Sequence, residues 1–209
     1  MKRETVLTIL KLLDRIYPNA GCALNYQTPF QLLIAVVLSA QTTDKSVNNV
    51  TPLLFEQYPD PSSLAAADQD DVAECIRRIG MYKTKSRNII SLSAKLVSDY
   101  GSEVPDDYES LVSLPGVGRK TANVVLAEAF GHQRIAVDTH VFRVSNRIGF
   151  TSEKDVLRTE MELMRTIPEE MWSHSHHLLI FHGRNLCQAR NPHCSECAVS
   201  PYCRYFKEL

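Results

Sequence analysis

Apolar side chains recur at helical spacing along almost the whole chain, and this periodicity is the feature that most limits the possible folds. At the N-terminus, one stripe of an amphipathic helix is formed by residues at i, i+3, i+4, i+7, i+10 and i+11, namely Val6, Ile9, Leu10, Leu13, Ile16 and Tyr17. We find no convincing alternating strand pairs, Asn-Gly hairpins or fixed-period repeats. The sequence therefore predicts an all-α fold.

Turn residues divide this pattern into segments. Residues 18–21 end the first helix, and the run 30–38 predicts a helix that is buried on most sides, with an interior strand as the alternative. Asp44 is placed to cap a helix that continues to Phe55, and the cluster at 59–62 breaks the chain. Further helices are predicted over 86–100, 106–113, 119–130, 139–148, 152–166 and 169–185.

Length, composition and charge are those of a globular chain. With 209 residues, it is long enough for one large domain or two small ones. Its longest apolar run, residues 32–38, is far shorter than the ~20 residues that span a bilayer. Because the N-terminus is amphipathic and unlike a signal peptide, we expect a cytoplasmic protein. The net charge is −1, but residues 111–150 hold five basic and two acidic side chains, so a local basic surface is available to nucleic acid.

Two glycines lie in the segment that joins the predicted helices at 106–113 and 119–130. This segment, over residues 114–120, is Leu-Pro-Gly-Val-Gly-Arg-Lys. Glycine permits positive φ angles and close backbone approach. The N–H groups at the start of the next helix, together with its dipole, form an anion site. The alternative is a tight helix–helix turn that needs glycine for its geometry alone.

Lys120 falls in the first turn of the helix that follows this hairpin. A neutral lysine amine is a nucleophile towards an electrophilic carbon. A solvated, charged lysine at the same position would only contact phosphate. The residues alone leave both roles open.

Asp138 follows an apolar segment and precedes an amphipathic helix, in the string Ile-Ala-Val-Asp-Thr-His-Val over residues 135–141. It is well placed as the N-cap of that helix. The rival interpretation is a catalytic carboxylate that steers protons and stabilises positive charge on a sugar. The two roles are compatible, because capping holds the carboxylate in one orientation. His140 either supports this site or, more simply, is a satisfied surface histidine.

Four of the six cysteines lie within seventeen residues near the C-terminus, with the spacing Cys-x6-Cys-x2-Cys-x5-Cys: Cys187, Cys194, Cys197 and Cys203. In a chain without an export signal, this is typical of a metal centre. Both tetrahedral Zn²⁺ and an iron–sulfur cluster are compatible with four thiolates, and two disulfides are the structural alternative. We expect the metal to hold the C-terminus together and the flanking basic residues to face phosphate: Arg184, Arg190, Arg204 and Lys207.

Taken together, residues 114–122, residues 137–141 and the cysteine tail resemble the endonuclease III family. This family comprises bifunctional DNA glycosylases/AP lyases of the helix-hairpin-helix iron–sulfur superfamily. Two further segments match as well, Leu-Ser-Ala-Gln-Thr-Thr-Asp at 38–44 and Ile-Gly-Met-Tyr at 79–82. The resemblance therefore covers nearly the whole chain in order.

The resemblance implies two helical lobes with a DNA-binding cleft between them. One lobe is a six-helix barrel module over residues 22–132 that contains the hairpin. The other combines residues 1–21 with 133–209 and carries a [4Fe–4S] cluster in the loop 187–203, held by the four cysteines named above. The implied partner is double-stranded DNA with damaged pyrimidines or abasic sites, and the implied protein is a bacterial, nucleoid-associated monomer.

The resemblance also assigns roles in the reaction. Lys120 would attack C1′ of the deoxyribose of an oxidised pyrimidine, form a Schiff base and cut the strand 3′ to the lesion by β-elimination, with Asp138 on the opposite wall of the cleft. Gln41 would fill the space that the flipped base vacates. Met81 stands where the family more often has leucine as an apolar wedge. Further DNA contacts would come from Gly116, Gly118 and Arg119.

Three other functions are compatible with parts of this pattern. An adenine-mismatch glycosylase of the same superfamily shares the motifs but does not need the hairpin lysine as a nucleophile, so the presence of Lys120 argues against it. A non-catalytic DNA-binding module would grip phosphates only. A redox iron–sulfur protein would couple its activity to electron transfer.

Overall fold

The computed structural model describes all 209 residues and is helical throughout, with no strand. The three 3-10 segments are Glu169–Met171, Cys194–Glu196 and Ser200–Tyr202. The α-helices, in chain order, are α1 Arg3–Ile16, α2 Pro29–Leu38, α3 Asp44–Asn48, α4 Thr51–Gln57, α5 Pro61–Ala65, α6 Gln69–Cys75, α7 Tyr82–Tyr100, α8 Tyr108–Val112, α9 Arg119–Phe130, α10 Thr139–Ile148, α11 Val156–Thr166, α12 Trp172–Asn185 and α13 Arg204–Lys207. The predicted all-α class is confirmed.

Two helices, α9 and α10, agree best with the sequence pattern. The bounds of α9 and α10 are those predicted, 119–130 and 139–148. Helix α7 begins at Tyr82, four residues before the predicted start at 86. Its preceding residue, Met81, has a left-handed backbone conformation that nothing in the hydrophobic pattern indicates.

The single helix predicted from Asp44 to Phe55 is wrong, because the structure divides it into α3 and α4. Pro52 lies in the first turn of α4. Proline has no N–H to donate and its ring collides with the carbonyl four residues earlier, so one helix cannot run through this position. The chain restarts at Thr51, where the first turn tolerates proline.

Two short helices were not predicted. The break at 59–62 leads directly into α5, because Asp60 and Ser63 form a capping box at its start. Asp68 accepts hydrogen bonds from the backbone N–H groups of Asp70 and Asp71 and so caps α6. With five and seven residues, these helices are too short to show an apolar stripe.

The chain divides into two compact units, and one of them is the continuous segment Ala23–Gly131. Its central element is α2, in which Phe30 and every residue from Leu32 to Leu38 are buried. Helix α2 packs against α7 and α9, and α7 also packs against α5 and α6. The predicted burial of the run 30–38 on most sides is confirmed as helix, not strand.

The other unit combines Met1–Cys22 with His132–Leu209. Its core is formed by α1, α10 and α12. The apolar stripe of α1 faces this core through Val6, Ile9, Leu10 and Leu13, which are fully buried. In neither unit is any helix long and apolar enough to cross a bilayer.

Candidate active site and metal centre

The hairpin between α8 and α9 is anchored by two buried apolar residues, Leu114 and Val117. The Val117 N–H donates to the Leu114 carbonyl at 3.1 Å, which closes the turn. Gly116 has a φ of +79°, and a Cβ there would lie 3.2 Å from Asn88 Nδ2 and 3.4 Å from Val37 Cγ1. Both the backbone and the packing therefore require glycine at position 116.

The second hairpin glycine has a different role. Gly118 has a φ of −101°, which any residue can adopt, and a Cβ built there would meet no atom within 4 Å. Glycine is therefore not needed at position 118 for the turn itself. It leaves the start of α9 open, because Gly118 is the N-cap and offers no side chain to accept a hydrogen bond.

Positive charge is concentrated at this open helix start. Lys120 is the second residue of α9, and both Arg119 and Lys120 are exposed. The Arg119 guanidinium donates to Tyr108 Oη at 3.2 Å and lies over the Tyr108 ring, 5.4 Å from its centroid. Together with the helix dipole, these groups form a surface that favours an anion such as phosphate.

Asp138 is the N-cap of α10, as the sequence predicted. Its Oδ1 accepts hydrogen bonds from the backbone N–H groups of His140 and Val141, both at 2.8 Å. The apolar residues 135–137 that precede it are buried, whereas Asp138 itself is half-buried. Because both bonds use Oδ1, the carboxylate is held in one orientation and Oδ2 takes no part in capping.

His140 is half-buried, between a fully exposed and a buried position. Its Nδ1 lies 3.2 Å from the Arg143 guanidinium. Burial lowers the pKa of His140; the charges of Arg143 and Arg184 lower it further, whereas Asp138 raises it. The net shift favours the neutral imidazole.

Gln41 and Met81 share an unusual backbone conformation. Their φ angles are +53° and +57°, and both side chains are exposed. Residues other than glycine seldom adopt positive φ, and Ser102 and Asn191 are the other two in this chain. Gln41 lies in the turn between α2 and α3, and Met81 immediately precedes α7.

All four cysteines of the C-terminal group line one cavity. Each of them is a free thiol, so the alternative of two disulfides does not describe this structure. Burial raises the pKa of the Cys197 thiol, and the charges of Cys203, Cys187 and Cys194 raise it further. Four cysteine sulfurs around one cavity, beside apolar side chains such as Ile148 and Val199, are a donor set that suits a metal.

Arginines that the sequence analysis did not select hold the loop around this cavity. Arg143 donates to the carbonyls of Gly183 and Cys187, at 2.9 and 3.1 Å. Arg147 donates to those of Gln188 and Ala189, at 2.6 and 3.0 Å. The sequence signal is two arginines one turn apart on the same helix, which places both on one face.

Arg204 differs from the expectation that the basic residues around the cysteines face phosphate. Its guanidinium donates to Ser152 Oγ and to the Asn146 carbonyl, both at 2.7 Å, and to the Thr151 carbonyl at 3.1 Å. These bonds fasten α13 to the end of α10. Arg204 therefore has a structural role.

His182 is a further residue of the cavity that was not predicted. Its Nε2 lies 3.6 Å from Cys197 Sγ, and its Nδ1 lies 3.3 Å from Tyr17 Oη. Burial lowers the pKa of His182 to about 4, so the imidazole is neutral at pH 7. The sequence could have indicated this residue, because it is a histidine among apolar side chains, five residues before Cys187.

The chain is similar to known proteins in sequence and in fold. Residues 34–169 match the family model of the HhH-GPD superfamily base excision DNA repair protein. The chain is 50% identical to endonuclease III of Bacillus subtilis (strain 168), over 92% of this chain and 90% of that protein. It is 44% identical to endonuclease III of Escherichia coli (strain K12), over 100% of this chain and 99% of that protein.

Among solved structures, the chain is similar to a trapped endonuclease III–DNA covalent intermediate. The TM-score is 0.94 at 47% identity, and the match covers 100% of this chain and 98% of that chain. The chain therefore belongs to the HhH-GPD superfamily of base excision DNA repair proteins and, within it, to the endonuclease III family. The predicted family and enzyme class, a DNA glycosylase and AP lyase that acts on DNA, are confirmed.

We expect Gly116→Ala to lower the free energy of unfolding by about 1–2 kcal/mol, because an L-residue at positive φ is strained and the new Cβ presses on Asn88. Gly118→Ala is the matched control, and its loss of a favoured N-cap residue should cost less than about 1 kcal/mol. Urea denaturation of both variants measures the difference. Equal losses would contradict the different roles assigned to the two glycines.

We expect Cys197→Ser to lower the metal content of the purified protein and its Tm, by roughly 10 °C if about 3 kcal/mol of stability is lost. The physical reason is that one of four thiolates no longer binds. Cys75→Ser is the control, because Cys75 lies in the other unit and contacts Gln57 Oε1. Elemental analysis and calorimetry test both; unchanged metal content in Cys197→Ser would show that the four-cysteine site is wrong.

Proposed function

We propose that this chain removes oxidised pyrimidines from double-stranded DNA and cuts the strand 3′ to the resulting abasic site, with Lys120 as the nucleophile. The observation that carries the proposal is the position of Lys120. It is an exposed amine in the first turn of a helix whose N-cap is a glycine and whose start favours an anion. Phosphate bound there would bring the sugar of a neighbouring nucleotide to the amine.

The reaction begins when the damaged base leaves the stack, since no side chain can reach its glycosidic carbon inside the duplex. The Lys120 ammonium loses a proton, and the amine attacks C1′ while the bond from C1′ to the base breaks. The bond between C1′ and O4′ then breaks, O4′ takes up the proton that the nitrogen releases, and the opened sugar carries an iminium, the Schiff base. Loss of the C2′ proton then drives electrons towards C3′ and expels the 3′ phosphate, which cuts the strand by β-elimination.

Asp138 is proposed to assist at the nitrogen and at the sugar. A carboxylate can accept the proton that Lys120 must lose and can offset positive charge on the sugar as the base departs. Its fixed orientation supports this role, because capping of α10 uses only Oδ1. Oδ2 of Asp138 would then be the oxygen that acts in the reaction.

The remaining predicted residues are proposed to hold DNA in the reactive arrangement. The hairpin would grip a phosphate through the backbone around Gly116 and Gly118 and through the Arg119 guanidinium. Gln41, with an amide that donates and accepts, would occupy the space of the flipped base. Met81 would act as the apolar wedge between bases. Binding to DNA would make the protein nucleoid-associated.

The cysteine cavity is proposed to hold a [4Fe–4S] cluster through Cys187, Cys194, Cys197 and Cys203. The four free thiols around one cavity fit the four-cysteine ligand set of such a cluster. When bound, the cluster would supply iron–thiolate bonds that stabilise the C-terminal segment. We propose that the unit around it is the iron–sulfur lobe and that Ala23–Gly131 is the hairpin module.

Lys120→Gln is expected to abolish strand cleavage and the covalent complex that borohydride traps on abasic DNA, because the amide nitrogen is not a nucleophile. Folding and most of the DNA affinity should remain. Lys120→Arg keeps the positive charge and should be equally inactive, while Lys154→Gln, an exposed lysine of the other unit, should resemble the parent. Undiminished cleavage by the arginine variant would reduce Lys120 to a phosphate contact.

Asp138→Asn separates capping from catalysis, since asparagine caps helices as well as aspartate. We expect unchanged stability and single-turnover base removal slower by about 100-fold or more. Asp138→Ala should be similarly slow and also less stable by about 1 kcal/mol, because the cap is lost. If Asp138→Asn kept the parent rate and only Asp138→Ala were impaired, Asp138 would be a cap alone.

A further inference from the structure

A buried lysine that the reaction does not use lies between the two turns that carry Gln41 and Met81. Lys85 is 4% exposed, whereas lysines are almost always on the surface. Burial alone accounts for the lowering of its pKa, and no neighbouring charge contributes. Burial of the Lys85 amine without a counter-charge costs free energy. Its presence there therefore calls for a favourable contact that offsets this cost.

Lys85 contacts both turns. Its side-chain Nζ lies 2.7 Å from Thr42 Oγ1, one residue after Gln41. Its backbone N–H donates to the Met81 carbonyl at 2.9 Å. The same residue therefore joins two segments that are about forty residues apart in the sequence.

The Thr42 hydroxyl extends this connection around Gln41. Its oxygen accepts from Lys85 and its proton is directed to the Ala40 carbonyl, at 3.4 Å. The Thr42 N–H donates to the Ser39 carbonyl at 3.0 Å. These contacts enclose Gln41 in a closed turn, so its positive φ is fixed by bonds on both sides.

We propose that Lys85 is a positioning residue that locks the Gln41 turn to the Met81 turn through Thr42, so that both exposed side chains meet DNA in one fixed arrangement. This inference rests on the proposed function of Gln41 and Met81. Two left-handed residues persist only where the surrounding structure holds them. The bond between Lys85 and Thr42 is the side-chain contact that joins the two turns.

Loss of the contact between Lys85 and Thr42 should affect one of the two reactions and not the other. Removal of a base from a duplex requires the base to be flipped and the gap to be filled, and both steps depend on the two turns. Cleavage at an abasic site in single-stranded DNA requires neither step. Loss of the lock should therefore slow the first reaction and spare the second.

The test uses Lys85→Met, which keeps the length of the side chain and removes its donor. We expect single-turnover removal of thymine glycol from a duplex to slow by about tenfold or more, the scale set by one charge-assisted hydrogen bond. Borohydride trapping on single-stranded abasic DNA should stay at the parent level. A 2-aminopurine placed opposite the lesion should show a smaller fluorescence change, because less of the gap is filled.

Thr42→Val removes the acceptor of the same hydrogen bond. It replaces Lys85→Met as the test variant if Lys85→Met does not fold. Thr42→Ser keeps the hydroxyl and should restore the parent rate on duplex DNA. The double variant Lys85→Met with Thr42→Val should be no slower than either single variant, since both remove one contact. Lys83→Met, an exposed lysine of the same helix, is the control for lost charge.

Parent rates in Lys85→Met and Thr42→Val on duplex DNA would overturn the positioning role. So would an equal loss of both reactions, because that result places Lys85 in the chemical step or in folding. Failure of the unmodified protein to be trapped on abasic duplex DNA would instead refute the nucleophilic role of Lys120. The two proposals therefore fail by different observations.

Discussion

The structure depends on how the first turn of each helix satisfies its backbone N–H groups, which have no acceptor within the helix. At α10, Asp138 supplies the acceptor through one carboxylate oxygen. At α9, Gly118 supplies no side chain, so an acceptor must come from another source. One helix start is thus closed by the protein itself and the other is open to an anion. The N–H groups at the start of α10 therefore fix the carboxylate of Asp138, and those at the start of α9 remain able to bind an anion.

Much of this arrangement follows from local sequence. The bounds of α9 and α10 are predictable because glycine and aspartate end and begin helices for reasons that lie within a few residues. The four cysteines are predictable because their spacing is contained in one short segment. The division of the predicted helix at 44–55 was also available in the sequence, since Pro52 carries the reason for it.

The parts that could not be predicted are contacts between distant segments. Nothing near Lys85 in the sequence indicates that its side chain is buried against Thr42, and nothing near Met81 or Gln41 indicates a left-handed backbone. Arg143 and Arg147 look like the polar face of an amphipathic helix until the loop after Cys187 is placed beside them. Such residues make their contacts only when the chain has folded. Hydrophobic periodicity and motif spacing therefore do not predict their role.

The arginine contacts around the cysteine cavity have a thermodynamic consequence. Arg143 and Arg147 of α10 bind the chain where the loop begins, and Arg204 binds the end of that helix where the loop finishes. Both ends are thereby fixed to one helix, so the guanidinium–carbonyl bonds already meet part of the entropic cost of closing the loop. A metal centre that binds to the cysteines has only the residues between these ends left to order. The entropic cost that opposes its binding is correspondingly smaller.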